Sequence, residues 1–328
     1  MLVVAALSCS RPAVEKISEF DIDGIHVRAN LPRNSVLTID QTEKISGQVS
    51  NIIRALNPVD GDVLGKLNDS VVGEMIPTAP VANVINQAVK SSYDSYGAFD
   101  PTLQILWDVY DFELGGRYVS VAELADALRW VDYRRVELYE DKILRKGENV
   151  RFGLGPALSG ALLDILMAEF GAENIAIDDV SVGGTGIGKS AEACLSASEE
   201  NPAVFDFVYP IEQPAQDAPQ SVFGHVRLNP GEFAFALDDD ENFFYTHGSR
   251  YHMVLDPLTG LPTDEVRAVL IVSKISCTHA ATMAYAVMVM GKIRGLEYFD
   301  ENSDIEGIIL LDEGEVNVSS GLGDRFWR

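Results

Sequence analysis

Apolar residues return at helical spacing along several stretches of the chain. Ile45, Val49, Ile52, Ile53 and Leu56 predict a helix over 42–56, broken by Pro58-Val59-Asp60-Gly61. Val84, Ile85, Ala88 and Val89 repeat the pattern over 81–93, and 121–128 predicts a further short helix. Residues 157–170 predict a buried helix with Gly171 as its C-terminal cap. Residues 280–290 are apolar nearly all round, which places that helix in the core. Strand-like runs lie at 20–31, 174–182, 223–237, 243–255, 268–273 and 307–318. Residues 135–138 and 142–144 read as a hairpin across Glu140-Asp141, and 210–219, rich in Gln, Pro and Asp, as an exposed loop. Helices and mostly antiparallel strands are interspersed without repeats or a clear linker. The expected fold class is therefore α+β, one unit over 16–328 behind a short N-terminal segment, 1–15.

Composition narrows the function. A chain of 328 residues, 47% hydrophobic and 23% charged, is long enough to bury a sizeable core. Its formal net charge of −25 argues against nucleic-acid binding, because phosphate contacts need a basic footprint. The same charge repels an anionic nucleotide unless cations or local dipoles offset it, and as a solvated surface it favours solubility. Cys9, Cys194 and Cys277 make neither a metal-ligand spacing nor a disulfide framework. Met1 to Leu7 is apolar and Cys9 follows Leu7-Ser8, like the end of a bacterial lipoprotein signal, yet no basic region precedes it. Two readings stay open: a truncated export signal with a lipid anchor at Cys9, hence a periplasmic or membrane-anchored protein, and a plain hydrophobic N-terminus on a cytoplasmic one. No segment carries the ~20 apolar residues that a membrane span needs.

The chemistry gathers at residues 251–262, Tyr-His-Met-Val-Leu-Asp-Pro-Leu-Thr-Gly-Leu-Pro. Read for turn residues, this is a strand and a tight turn: Pro257 presets φ, Gly260 accepts a positive φ, and Asp256 bonds its own following backbone. Asp-Pro-x-Thr-Gly-x-Pro with a His just upstream resembles the signature of the ApbE family, the FAD:protein FMN transferases. Other stretches are similar to that family in the same order: Gly97-Ala98-Phe99-Asp100-Pro101-Thr102, then Leu154-Gly155 with Gly160 and Asp164, the helix 277–291, and Ser319-Ser320-Gly321-Leu322. Order and spacing agree from about Asn51 to the C-terminus.

The resemblance implies a T-fold-like α+β architecture, FAD in a cleft, and a protein acceptor whose Thr or Ser receives FMN. It also implies Mg²⁺ at the FAD pyrophosphate. Its cofactor-binding positions fall on Asn68, Phe99, Asp100, Gly160, Asp164, Gly183, Gly184, Thr259 and Gly260, and its catalytic candidates here are His252 and Asp256. The metal-binding Asp of the family is Ala281 in this chain, and its partner Thr is Tyr285. The family's Lys before Gly160 is Ser159, its Asp after the Gly-Gly turn is Thr185, and its signature His is Met253, with His252 one residue away on the opposite face of a strand. An alanine methyl cannot ligate Mg²⁺ and a phenol is a poor substitute for the hard oxygens it prefers, so no metal is expected at these positions. Asp238, Asp239 and Asp240 form the one acidic run available for a relocated site, with a solvated turn as its plain alternative. The expectation is a kept fold with an altered site. An active member would transfer FMN or hydrolyse FAD. A non-catalytic relative would bind a flavin, another nucleotide or a protein partner.

One rival motif remains. Residues 183–190, Gly-Gly-Thr-Gly-Ile-Gly-Lys-Ser, match the phosphate-binding loop pattern after a predicted strand, with Ile308 to Asp312 as the acidic strand such a site needs for Mg²⁺. The following helix is weak and Pro202 soon ends it, which disfavours a nucleotide hydrolase.

Overall fold

The computed structural model describes residues 16–32, 35–177, 179–184, 192–195, 204–208, 222–239, 243–311 and 314–327. Residues 1–15, the loop 210–219, Asp240, Asp312 and 185–190 of the rival motif lie outside them. In chain order the first half holds β1 (Lys16–Ile22), β2 (Ile25–Leu31), α1 (Ile39–Leu56), α2 (Leu64–Asp69), β3 (Ile76–Pro77), α3 (Ala82–Asp94), α4 (Gln104–Tyr110), α5 (Val121–Leu128), β4 (Val136–Tyr139), β5 (Lys142–Arg145) and α6 (Leu158–Ala172). The second half is mostly strand: β6 (Asp179–Gly184), β7 (Glu192–Leu195), β8 (Val204–Val208), β9 (Val222–Arg227), β10 (Phe233–Asp238), β11 (Phe244–Thr246), β12 (Ser249–Tyr251) and β13 (Val266–Ser273). Then come α7 (Cys277–Glu301), β14 (Ile305–Leu311), β15 (Val316–Val318) and β16 (Phe326–Trp327). Every ladder between these strands is antiparallel.

The α+β expectation holds, and most elements fall where periodicity puts them. Thr38 and Gln41 cap α1 reciprocally and Ser120 and Glu123 do the same for α5, which fixes both starts. Several details differ, and the runs at 223–237, 243–255 and 307–318 each hold two strands rather than one. The run at 20–31 is two strands, because Asp23 and Gly24 both take positive φ, 50° and 84°, and turn the chain back. The helix over 157–170 continues to Ala172, and the left-handed residue after it is Asn174, not Gly171. Glu192–Leu195, where a phosphate-binding loop needs a helix, is a strand paired with β6. That removes the helical context the rival motif requires.

The sheet β10-β13-β14-β15 organises the core. Its strands β13 and β14 are buried on both faces, so they read as continuous apolar runs rather than alternating ones. Val269, Ile271 and Ile309 face the main core with α7. Their alternating neighbours Ala268, Leu270, Ile308 and Leu310 face a second, smaller cluster with Val226 and Leu322. Helix α7 lies across the sheet and meets α6 and α3 on its other sides, so it has no polar face to spare and most of its residues are buried. Cys277 at its start is disulfide-bonded, a bridge the cysteine spacing did not announce. No helix among the described residues is long and apolar enough to cross a membrane.

Candidate functional site

Residues 252–263 form a closed turn anchored at both ends. Leu255 pairs with Pro262 in an isolated antiparallel bridge, and Asp256 N–H donates to Leu261 C=O at 2.9 Å. Within the turn Asp256 accepts from Leu258 N–H at 2.8 Å and from the Thr259 hydroxyl at 3.1 Å. Gly260 has φ 68°, which lets its N–H return to the Asp256 carbonyl at 2.7 Å. His252 is buried with both ring nitrogens engaged: one donates to the Thr263 carbonyl at 2.8 Å and the other accepts from Val254 N–H at 3.3 Å. Burial lowers its pKa, so the ring is a neutral imidazole.

Helix α4, absent from the sequence expectations, covers this turn. Trp107 donates its indole N–H to Met253 C=O at 2.9 Å, and the Tyr110 hydroxyl donates to Gly260 C=O at 2.9 Å. Leu103, Leu106, Trp107 and Tyr110 do recur at helical spacing, but the helix is only seven residues long, too short for the period to stand out.

The remaining positions carried by the resemblance are also engaged inside the protein. Asn68 donates to the carbonyls of Pro58 and Phe152, at 2.7 and 2.9 Å, and accepts Phe152 N–H at 2.7 Å. Both its amide hydrogens are spent. Phe99 is fully buried edge-on to Tyr285, with ring centroids 5.7 Å apart. Asp100 accepts from Thr102 N–H and hydroxyl, at 2.8 and 2.6 Å, and from Tyr133 N–H at 2.9 Å. Asp164 receives the first N–H groups of α7, from Cys277 and Thr278 at 2.8 and 2.7 Å, and the Thr278 hydroxyl at 2.5 Å. Gly183 and Gly184 end β6 opposite His26 and Ile25 of β2.

The glycines are covered too. A methyl built on Gly160 would lie 2.5 Å from the Ala281 methyl and 2.6 Å from Cys277 C=O. One on Gly155 would meet the Trp107 ring at 2.2 Å, one on Gly153 the Gln104 amide oxygen at 1.9 Å, and one on Gly260 Leu124 at 2.7 Å. The space beside each of these glycines is therefore occupied by a side chain of this chain.

The donor set does not fit Mg²⁺. Ala281 offers only a methyl, and Tyr285 is fully buried with its hydroxyl between Leu255 N–H and Leu255 C=O, both at 2.8 Å. Of the carboxylates around these positions, Asp164 and Asp100 each already hold three donors and Asp256 holds two. In the acidic run Asp239 is paired with Arg250 and Arg267 at 2.6 and 2.5 Å, and Asp238 ends β10. Among the described residues no group of three His, Cys, Asp or Glu side chains is placed to hold a metal ion.

The sequence model of the ApbE family matches residues 24–309. A FAD:protein FMN transferase of Vibrio cholerae is 36% identical over 96 residues, 28% of each chain, and one of Treponema pallidum is 33% identical over 86 residues, 26% of this chain and 24% of that one. Each of these matched stretches thus spans about a quarter of the relative's length. The crystal structure of the ApbE protein of Thermotoga maritima superposes with TM-score 0.77 over 95% of this chain and 99% of that one, at 22% identity. The flavin transferase ApbE of Vibrio cholerae does so with TM-score 0.73 over 96% and 100%, at 17% identity. These structural likenesses carry the fold, and the family match carries the kinship. The chain belongs to the ApbE family.

Proposed function

We propose that this chain keeps the flavin-transferase fold without metal-dependent flavin transfer, as a non-catalytic member of its family. The observation that carries the reading is the donor set on α7: Ala281 offers only a methyl, and the Tyr285 hydroxyl is spent on the backbone of Leu255. The residues that the resemblance assigns to flavin contact, Asn68, Phe99, Asp100, Gly160, Asp164, Gly183, Gly184, Thr259 and Gly260, serve turns, caps, strands and packing. His252 has both ring nitrogens engaged, and each carboxylate oxygen of Asp256 already accepts a bond from within the turn. The opposing reading takes the relatives' names at face value: Mg²⁺-dependent transfer of FMN from FAD to a protein Thr or Ser, or hydrolysis of FAD to FMN and AMP.

FAD titration with and without Mg²⁺, followed by chromatography of the products, separates the two. In an active member metal and FAD tighten each other by the same factor. Here the expected result is weak or no FAD binding, no change with Mg²⁺, and no AMP or FMN released. Mg²⁺-dependent AMP release would put the chain among the active transferases and end the proposal. Visible flavin absorbance in the purified protein would instead identify a non-catalytic flavin binder.

A further inference from the structure

We infer that Tyr285, standing where the resemblance places a metal ligand, ties α7 to the signature turn, so that the turn is ordered by a hydrogen-bonded phenol and is indifferent to divalent cations. This rests on the non-catalytic reading above and adds what holds the former site together.

Two segments must be joined, the middle of α7 and residues 253–255. Tyr285 is the side chain that reaches across. Its hydroxyl accepts Leu255 N–H and donates to Leu255 C=O, each at 2.8 Å. One phenol thus satisfies both backbone groups of a fully buried residue, groups that are costly to leave unpaired. Phe99 and Trp107 box the ring edge-on, with centroids 5.7 and 6.4 Å away and interplanar angles of 81°. Trp107 adds its own bond to Met253 C=O, so phenol and indole hold carbonyls two residues apart in one segment.

The pair at 281 and 285 gives a cation nothing to hold: Ala281 carries a methyl, and the Tyr285 hydroxyl is already spent on Leu255. Ala281 lets α7 close against Gly160, and the phenol spans the gap that remains. Burial drives the Tyr285 pKa far upward, so the group stays a neutral donor and acceptor at every pH the fold survives. The exchange loses the ability to sense or use a metal and gains an order that needs no ligand.

Hydrogen exchange followed residue by residue tests this on the wild-type protein and on Tyr285→Phe, which keeps the ring and removes only the hydroxyl. In the wild type the Leu255 amide is expected to exchange at least a hundredfold more slowly than the Leu258 amide of the exposed turn, with no change when MgCl₂ replaces NaCl at equal ionic strength. In Tyr285→Phe the Leu255 amide is expected to exchange at least tenfold faster, while Val287 in the body of α7 changes less than threefold. Unchanged protection of Leu255 in the variant overturns the tie, and so does Leu255 protection that rises with Mg²⁺ in the wild type. Release of AMP from FAD would sink the non-catalytic reading by a separate measurement, whatever Leu255 does.

Discussion

Asp100 receives three hydrogen bonds, which favour its anion, yet burial outweighs them and pushes its pKa up to about 6. His279, bonded to the Ser273 hydroxyl at 2.9 Å, is pulled the other way by burial, down to about 4. The two act on stability with opposite sign. Between pH ~4 and ~6 folded Asp100 keeps a proton that the unfolded chain has lost, so stability falls as pH rises, by about 3 kcal/mol in all. Between pH ~4 and ~6.5 the unfolded chain protonates the histidine that the fold keeps neutral, so stability rises with pH by about 3 kcal/mol. The slopes largely cancel in the wild type. Relative to it, Asp100→Asn adds a rising slope to the urea midpoint between pH 4 and 6.5, and His279→Asn adds a falling one. Should both variants run parallel to the wild type, neither group titrates as its burial requires. Such sites are hard to read from sequence. Phe99-Asp100 is visible as part of a motif, but nothing in the letters says whether Asp100 faces a ligand or a Thr102 and Tyr133 of its own chain. Ala281 and Tyr285 were legible as departures; that the phenol closes on Leu255 depends on a distance that no spacing supplies.

At the scale of elements, legibility follows length and burial. Helix α7 announces itself because it is apolar nearly all round, and α5 matches its expected bounds because Ser120 and Glu123 mark the start. The short helices α2 and α4 carry too few turns to show a period, although α4 supplies Trp107 and Tyr110 to the site. How α7 begins is equally hidden. Ser276 caps it locally, accepting His279 N–H at 3.0 Å, whereas the cap on Cys277 and Thr278 comes from Asp164, more than a hundred residues earlier. A carboxylate at a helix N-terminus gains both charge-assisted bonds and the favourable end of the helix dipole. Asp164→Ala is therefore expected to cost about 3 kcal/mol, against about 1 kcal/mol for Ser276→Ala, both measured by urea unfolding with the Cys277 disulfide intact. Equal costs would mean that the local cap suffices and that the tertiary one is incidental.

For the whole molecule, the strand order was not available from the letters, since β10 and β13 are neighbours across an intervening hairpin and β14 reaches β13 only after α7. Net charge was available, and it sets the behaviour of the molecule in salt. Acidic residues outnumber basic ones by fifty to twenty-five, so even if every Lys and Arg is paired, half the carboxylates repel one another in the compact state. Raising NaCl from 20 to 500 mM shortens the screening length from roughly 20 Å to about 4 Å. Removing long-range repulsion on this scale is expected to raise Tm by roughly 1.5–3 °C, equivalent to about 1–2 kcal/mol. A fall in Tm would show that ion pairs such as Asp239 with Arg250 and Arg267 outweigh the repulsion. The choice of salt then separates screening from binding. MgCl₂ at matched ionic strength is expected to do no more than NaCl, because Ala281 and Tyr285 offer the ion no ligands. A further rise in Tm that saturates at micromolar Mg²⁺ would reveal a specific site built from residues other than these two.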